Sequence, residues 1–282
     1  MLSTHGTDHA IDAVCPINWQ HPLNRGLVGW WLTPWGWSGG SKLPDLTRAN
    51  PGTLTNGPTW TAGPNGFGAI NLGGSPQFVN VAHSAALNLS GDFSVSGWLK
   101  KPDGMGTAGV LDKRRGDEST PAWSVHLSNA TSSMRFQPNL GGANVTIDSA
   151  DISTILTNWF HWCITRSGSA FQWYANGRVS GSGATNAGAM ATNTADATFG
   201  KLSGDIFYLT GYQTDVRIQD AALSAAEVAA FYDQSLRAYP DLLRRVSSKV
   251  YSYVAPAGGR VTKNTRAFPL GVEVGMNHLM PL

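Results

Sequence analysis

The chain has 282 residues, of which 41% are hydrophobic and 13% are charged. This length and composition suit one large β domain or two small domains, and they argue against a fibre, a helical bundle and a disordered chain. The 33 glycines and 11 tryptophans favour many short strands joined by tight turns. A net charge of +2 is too small to make nucleic acid the default partner. The sequence shows neither a membrane-spanning apolar run nor an N-terminal secretory signal.

The first 25 residues mix polar residues and prolines without periodicity, and at Gly26 the sequence changes to the apolar run Leu27–Leu32. We therefore predict an N-terminal arm over residues 1–25 and an opening strand directly after it. Short strand-like runs then follow about every ten residues as far as Ile218, a spacing typical of a two-sheet sandwich or jelly roll. Asn176 and Gly177 predict a tight hairpin, because both residues tolerate a positive φ.

A single helix is predicted near the end of this region. Ser224 and Glu227 form a capping box, and Pro240 limits the helix at its C-terminal side. Residues 1–237 carry 14 basic and 16 acidic side chains, whereas residues 238–282 carry 6 basic and 2 acidic ones. The predicted architecture is therefore an all-β, two-sheet antiparallel jelly-roll sandwich over residues 26–237, with one short C-terminal helix and extended arms at both ends. Residues 238–282 form the basic C-terminal extension.

Several stretches resemble the laminin-G-like, concanavalin A-like jelly rolls. These stretches are Gly91–Lys100, Val110–Lys113, Trp159–Thr165, Tyr174–Gly177 and Gly204–Tyr232. The resemblance covers about residues 27–237 and implies two curved antiparallel sheets, with a capped helix after the last core strand. Residues 26–32 and 231–245 also resemble a subset of these domains found in bacteriophage and prophage structural proteins.

The acidic residues do not predict catalysis. Enzymatic relatives use closely spaced carboxylates on one strand, as in Glu-x-Asp-x-Glu. The three glutamates here, Glu118, Glu227 and Glu273, lie far apart. No Gly-x-Ser-x-Gly motif is present, and His83, His126 and His161 have no evident serine or cysteine partner in the sequence. We therefore predict no catalytic residues and a protein that is not an enzyme.

No motif predicts a cofactor. His5 and His9 have a spacing that could bind zinc on a helix, but their polar surroundings do not favour a helix. Related domains often bind calcium through hard oxygen ligands, for which the candidates are Asp45, Asp112, Asp196 and Asp205. None of the four lies in a dense acidic loop, so turn formation is the simpler interpretation and calcium is left open.

Four of the tryptophans, Trp30, Trp31, Trp35 and Trp37, lie within eight residues. The last two belong to a loop-like segment, and exposed indoles there would stack on sugar faces. The simpler interpretation is that Trp30 and Trp31 serve the core and a sheet face, while Trp35 and Trp37 cover a sandwich edge or a subunit contact.

The C-terminal extension alternates aromatic and basic residues. They are Tyr251, Tyr253, Arg260, Lys263, Arg266 and Phe268. We predict that they form the partner interface, by adding to a neighbour's sheet edge or by lying in an acidic groove. The cations are too sparse to favour single-stranded nucleic acid.

The main functional prediction is a non-enzymatic virion structural protein, made in the host cytoplasm without a signal peptide. It would be a capsid decoration or stabilising protein whose arms bind the major capsid protein or neighbouring copies in a homo-oligomer. The alternative is a carbohydrate-binding adhesin module that contacts a cell-surface glycan, and the third hypothesis is a polysaccharide-cleaving enzyme. Neither nucleic acid nor a membrane is predicted as a partner.

Overall fold

The structure is a computed structural model that describes residues 17–33, 40–114, 122–202, 204 and 206–243, together with the backbone of two later strands. The strands are β1 (Leu27–Trp31), β2 (Lys42–Leu43), β3 (Gly52–Thr55), β4 (Thr59–Ala62), β5 (Gly68–Gly73), β6 (Phe78–Val81), β7 (Phe93–Lys100), β8 (Ala108–Asp112), β9 (Trp123–Ser128), β10 (Ser133–Leu140), β11 (Ala143–Asn144), β12 (Ile147–Asp148), β13 (Phe160–Ser167), β14 (Ala170–Ala175), β15 (Arg178–Thr185), β16 (Ala197–Phe199), β17 (Thr210–Gln219), β18 (Thr262–Ala267) and β19 (Glu273–His278). The α-helix is α1 (Ala225–Leu236). Short 3-10 turns cover Pro22–Asn24, Pro64–Gly66 and Ala85–Leu87.

Two large antiparallel sheets form the body. Sheet 1 has eight strands in the order β15-β14-β13-β7-β17-β5-β4, with β1 also paired to β17. Sheet 2 has nine strands in the order β11-β10-β9-β8-β16-β6-β3-β2, with β12 also paired to β10. Strands β18 and β19 pair with each other in a separate hairpin. This architecture confirms the predicted all-β sandwich with one helix near its C-terminal end.

The main core lies between the two sheets and follows from alternation along the strands. In β7, Phe93, Val95 and Leu99 face the core, while Ser94 and Trp98 point to the other side of sheet 1. Trp31 of β1 also belongs to this core and packs edge-on against Phe199 of sheet 2. Because each inner face supplies large apolar side chains, the sheets bury a continuous hydrophobic layer.

A second core covers part of the outer face of sheet 1. Its buried members are Ile17, Leu23, Trp30, Leu32, Phe67, Cys163, Tyr174, Leu223, Val228, Phe231, Tyr239, Leu242 and Leu243. Helix α1 contributes the pair Val228 and Phe231, whose spacing places both on one face of a helix. Residues before β1 and after α1 complete the cover, so this part of the outer sheet face is buried although it lies outside the sandwich.

The two ends of the described body meet at this second core. Ile17 and Leu243 form an antiparallel bridge, and the Asn18 backbone N–H donates to the Leu242 carbonyl at 2.8 Å. Residues 17–25 and 238–243 therefore lie on the body, whereas residues 1–16 of the predicted N-terminal arm lie outside the described residues. The domain boundaries at residues 25 and 237 remain predictions.

The hairpin between β14 and β15 has the predicted turn. Asn176 and Gly177 have φ values of 49° and 74°, the left-handed conformations that a two-residue turn of this type requires. A Cβ at Gly177 would lie 2.9 Å from the Tyr232 ring of α1, so glycine also permits close contact with the helix. The turn thus fixes one edge of sheet 1 beneath the helix.

The capping box of α1 is present as predicted. Ser224 Oγ accepts from the Glu227 backbone N–H at 3.3 Å, and Glu227 Oε2 accepts from the Ser224 backbone N–H at 2.8 Å. Arg25 forms an ion pair with Glu227 and holds the segment before β1 against the helix. The hydrogen bond from Arg25 lowers the pKa of Glu227 to about 2. The cap therefore joins two distant parts of the chain.

Replacing Ser224 with alanine is expected to lower the free energy of unfolding by about 1 kcal/mol, because one N-terminal donor of the helix loses its acceptor. Chemical denaturation would measure the change, with Ser182→Ala on the exposed part of β15 as the control. Equal effects of the two substitutions would contradict a stabilising role for the cap.

Candidate functional site

A row of partly exposed polar and aromatic side chains crosses the outer face of sheet 1. The strand register places Lys100 of β7 opposite Tyr212 of β17, Tyr212 opposite Asn71 of β5, and Asn71 opposite Thr59 of β4. The flanking residues Leu99, Ile70 and Leu72 belong to the main core. Because successive side chains of a strand point to opposite faces, the four residues of the row lie on the outer face.

Trp159 extends this row at the β13 side. Its ring centroid lies 6.1 Å from that of Tyr212, at an interplanar angle of 50°. Lys100 Nζ lies 6.0 Å from the centroid of the Tyr212 ring. At the other end, Asn71 Nδ2 donates to Thr59 Oγ1 at 3.2 Å. We call these five residues, Trp159, Lys100, Tyr212, Asn71 and Thr59, the outer row.

The outer row begins where the cover provided by α1 ends. Tyr232 of α1 stacks on Trp98 with the centroids 5.8 Å apart and the rings inclined by 29°. Trp98 is buried by this contact, whereas Lys100, two residues further along the same strand, is half-buried. The helix therefore leaves this end of the sheet face accessible to a partner.

The row offers the groups that bind carbohydrate. Aromatic rings present apolar faces to the C–H faces of sugars, while amide and hydroxyl groups exchange hydrogen bonds with sugar hydroxyls. From Lys100 to Thr59 the row crosses four neighbouring strands, which gives a length of about 14 Å at the usual strand spacing. A linear ligand of a few sugar units would lie across the strands.

The predicted pair Trp35 and Trp37 lies outside the described residues, but both ends of its segment are fixed at the β4 edge of sheet 1. Thr33 forms a bridge with Gly68 next to β4, and the Gly40 carbonyl accepts from Trp60 Nε1 at 3.0 Å. Trp60 is half-buried and directly follows Thr59 of the outer row. All three interpretations of the pair, namely sugar stacking, edge cover and a subunit contact, stay predictions.

The predicted interface in the C-terminal extension is also untested. Tyr251, Tyr253, Arg260 and Phe268 lie outside the described residues. Lys263 and Arg266 lie in β18, and their backbones pair with Asn277 and Val274 of β19.

The calcium candidates that the structure describes serve turns and loops. Asp45 accepts from the backbone N–H groups of Trp30, Thr47 and Asn50 at 2.8, 3.0 and 2.8 Å. Asp196 accepts from Asn80 Nδ2 and the His83 backbone N–H, and Asp112 accepts from the Arg114 backbone N–H. Asp205, His5 and His9 lie outside the described residues. Within the described ranges, no three His, Cys, Asp or Glu side chains are grouped as a metal site.

One histidine has a partner that the sequence analysis missed. His126 Nδ1 lies 3.2 Å from Ser124 Oγ, because residues two apart on a strand share a face. Ser124 is fully buried, and the nearby Asp148 is held by two hydrogen bonds from Arg135. Burial, helped by the charges of Arg135 and Arg114, lowers the pKa of His126 to about 4. The pair therefore lacks an accessible nucleophile and an effective base.

His161 occupies a position on β13. It is fully buried against Trp98 and Phe231, and neither ring nitrogen has a hydrogen-bond partner among the described residues. Burial lowers its pKa to about 3.

Glu118 lies outside the described residues, and Glu227 is occupied by the helix cap. In the described ranges, no helix is both long enough and apolar enough to cross a membrane.

A comparison with protein families identifies the superfamily of the fold. A family model described as the concanavalin A-like lectin/glucanases superfamily matches residues 73–229, which is more than half of the chain. The chain belongs to this superfamily. The match includes Lys100, Trp159 and Tyr212 of the outer row, while Thr59 and Asn71 lie before it. A comparison with curated proteins gives no match.

Solved structures with this superfamily fold include several toxin binding domains. The binding domain of Paraclostridial Mosquitocidal Protein 1 is 18% identical, with a TM-score of 0.60, and the match covers 76% of this chain and 53% of that one. The binding domain of botulinum neurotoxin DC in complex with SialylT is 16% identical, with a TM-score of 0.58 and coverages of 76% and 52%. The same domain in complex with rat synaptotagmin II is 16% identical, with a TM-score of 0.57 and coverages of 76% and 52%. The chain thus spans about half the length of each domain.

The sequence contains no local signal for the outer row. Trp159 and Tyr212 lie within or beside apolar strand runs, where an aromatic residue is expected to be buried. Lys100 and Asn71 are 29 residues apart in the sequence and are separated by β17 in the sheet. Only the strand register, which follows from the complete fold, brings these residues into one line.

Proposed function

We propose that this chain is a non-enzymatic binding module that recognises a carbohydrate receptor through the outer row. The observation that carries the proposal is the alignment of two aromatic rings, one amide, one hydroxyl and one ammonium group on a sheet face that α1 leaves uncovered. Such a mixture of apolar faces and polar groups matches the surface of a sugar.

The comparisons support a binding role in general terms. The superfamily includes lectins in its description, and the similar solved structures are binding domains, one of them in complex with SialylT. Since the chain spans only about half of those domains, their receptor contacts need not lie in the shared half. For this reason the proposal depends on this chain's own side chains.

Of the functions predicted from the sequence, we prefer the carbohydrate-binding module to the capsid decoration protein. The description of the matched family names lectins and glucanases, and the similar structures named above are binding domains. Tyr239, Leu242 and Leu243, which follow α1, belong to the second core, so an arm-mediated assembly would depend on residues after Leu243 or before Ile17.

Replacing Trp159 or Tyr212 with alanine is expected to weaken binding to immobilised oligosaccharides at least tenfold, because each substitution removes one stacking surface. Binding of the intact chain to a panel of neutral and acidic oligosaccharides would be measured first. Thermal melting of each variant would show whether the fold is retained.

Trp19→Ala provides the matched control. This indole is 55% exposed and lies in the segment before β1, where the neighbouring Asn18 is bonded to Leu242 and not to a residue of the outer row. Its loss is expected to leave binding unchanged. Equal binding by the folded Trp159→Ala and Tyr212→Ala variants and the unaltered protein would refute the proposed site, and the absence of binding to every oligosaccharide would refute the function.

A further inference from the structure

The outer row contains one cation, Lys100, that has no carboxylate partner among the residues that the structure describes. No ion pair of the described residues involves Lys100, whereas the next residue, Lys101, pairs with Asp103 at 2.6 Å. Lys101 is buried, while Lys100 is half-buried beside the Tyr212 ring. The structure therefore compensates the charge of one neighbouring lysine and leaves that of the other available to a ligand.

The position of Lys100 determines what its charge can reach. Its ammonium group lies 6.0 Å from the centre of the Tyr212 ring, on the side of the row where Trp159 also lies. A sugar stacked on Tyr212 would bring its ring substituents within hydrogen-bonding range of this group. An ammonium group attracts a carboxylate or sulfate oxygen by charge in addition to the hydrogen bond that it also gives to a neutral acceptor, and the half-buried position reduces screening by solvent.

The opposite end of the row has different chemistry. Asn71 and Thr59 provide an amide and a hydroxyl, which suit uncharged sugar hydroxyls. The row therefore changes from cationic and aromatic at β7 and β17 to neutral and polar at β5 and β4.

From this order of groups we propose that the ligand is a linear acidic oligosaccharide of about three sugar units, bound across the strands with its anionic group at Lys100. This inference rests on the proposed function and adds the charge and the direction of the ligand. The anionic group is a carboxylate or a sulfate ester, because both present oxygen acceptors with a negative charge.

Three matched ligands test the inference on the full chain. They are a neutral trisaccharide, the same trisaccharide with its terminal hydroxymethyl group oxidised to a carboxylate, and the same trisaccharide with that group sulfated. Calorimetry is expected to show at least tenfold tighter binding of one or both charged ligands at low ionic strength, and a smaller preference at higher ionic strength. The tighter of the two charged ligands identifies the anionic group.

Lys100→Gln is expected to reduce the ratio of charged to neutral affinity to near one. Asn71→Ala is expected to weaken charged and neutral ligands by the same factor and so to preserve the ratio. The control is Lys42→Gln, because Lys42 is an exposed lysine on sheet 2 that donates to Thr53 at 3.0 Å, and its loss is expected to leave all affinities unchanged.

Two results would overturn the inference while the proposed function stands. One is equal affinity of the unaltered protein for neutral and charged trisaccharides, and the other is a charge preference that survives Lys100→Gln. Failure of all three ligands and of every oligosaccharide in the earlier panel would overturn the proposed function and this inference together.

Discussion

Replacing Arg217 with alanine is expected to lower the free energy of unfolding by about 3–5 kcal/mol, because the change removes a buried cation and leaves a cavity. Arg217 is fully buried, and its guanidinium group lies 4.4 Å from the ring centroids of both Trp30 and Phe231. It also donates to the Leu23 carbonyl at 2.9 Å and to Asn24 Oδ1 at 3.0 Å. One side chain thus joins sheet 1, α1 and the segment before β1.

The same substitution would leave the carboxylate of Asp215 buried without its nearby cation. Asp215 lies at a bulge in β17, with a φ of 55°, and accepts hydrogen bonds from Trp30 Nε1 and the Tyr239 hydroxyl. Burial raises its pKa to about 6, although these hydrogen bonds and the charge of Arg217 act in the opposite direction. Loss of Arg217 therefore destabilises a second buried charge.

Urea denaturation of Arg217→Ala would measure the loss, with Arg237→Ala as the matched control. Arg237 forms an exposed ion pair with Asp233 one helical turn away, so its removal is expected to cost less than about 0.5 kcal/mol. Arg217→Met would separate packing from charge, because methionine fills much of the same volume. A loss below about 1 kcal/mol for Arg217→Ala would show that the second core does not depend on this residue.

The elements predicted correctly from the sequence are those with local signals. The turn at Asn176 and Gly177 and the cap at Ser224 depend on residues close together in the chain, so their chemistry can be read directly. The alternation in β7 is equally local, because it reflects the period of two along a strand.

The second core could not be predicted in this way. Residues 17–25 have polar neighbours and no periodicity, which suggested an arm, yet Leu23 and Asn24 are buried against residues from the other end of the body. The burial of Leu23 and Asn24 depends on contacts between residues about 200 positions apart, such as Asn24 and Leu242. By contrast, the prediction that Trp30 and Trp31 serve the core and a sheet face is confirmed, because they lie on opposite faces of β1 and enter different cores.

The outer row was missed for a related reason. Antiparallel pairing of β7, β17, β5 and β4 sets which residues stand side by side, and this pairing is not encoded by any single stretch of sequence. The sequence analysis instead selected Trp35 and Trp37, whose spacing is visible locally. The β4 edge connects the two sets, because Trp60 beside Thr59 contacts the end of the segment that contains the predicted tryptophans.

Two buried histidines give the protein an expected sensitivity to acid. Burial and the charge of Arg217 lower the pKa of His161 to about 3, and burial with the charges of Arg135 and Arg114 lowers that of His126 to about 4. In the unfolded chain both would titrate near pH 6.5. Because the pKa of each histidine is lower in the folded state, its contribution to the free energy of unfolding is complete above pH 6.5. This contribution is lost as the pH falls through the folded-state pKa.

Asp215 acts in the opposite direction. The pKa of Asp215 is about 6 in the folded state and 3.8 in the unfolded state. Its contribution to the free energy of unfolding is therefore complete below pH 3.8 and is lost as the pH rises through 6. Between pH 6 and 4 this gain offsets the loss from one of the two histidines. The free energy of unfolding is therefore expected to fall by about 1.4 kcal/mol per pH unit from pH 6 to 4.5, and the lowered pKa of Glu227 adds to the loss below pH 4.5.

His161→Phe is expected to abolish this loss between pH 6 and 4.5, because His126 and Asp215 then offset each other. The variant is also expected to be at least as stable as the unaltered protein at pH 7, since phenylalanine removes two buried nitrogens that have no hydrogen-bond partner. His126→Gln is expected to flatten the same interval but to keep a steeper loss between pH 4 and 3 than His161→Phe, because His161 still titrates there together with Glu227. Urea denaturation at half-unit pH steps would distinguish the two curves, and a slope in His161→Phe equal to that of the unaltered protein would show that acid acts on other groups.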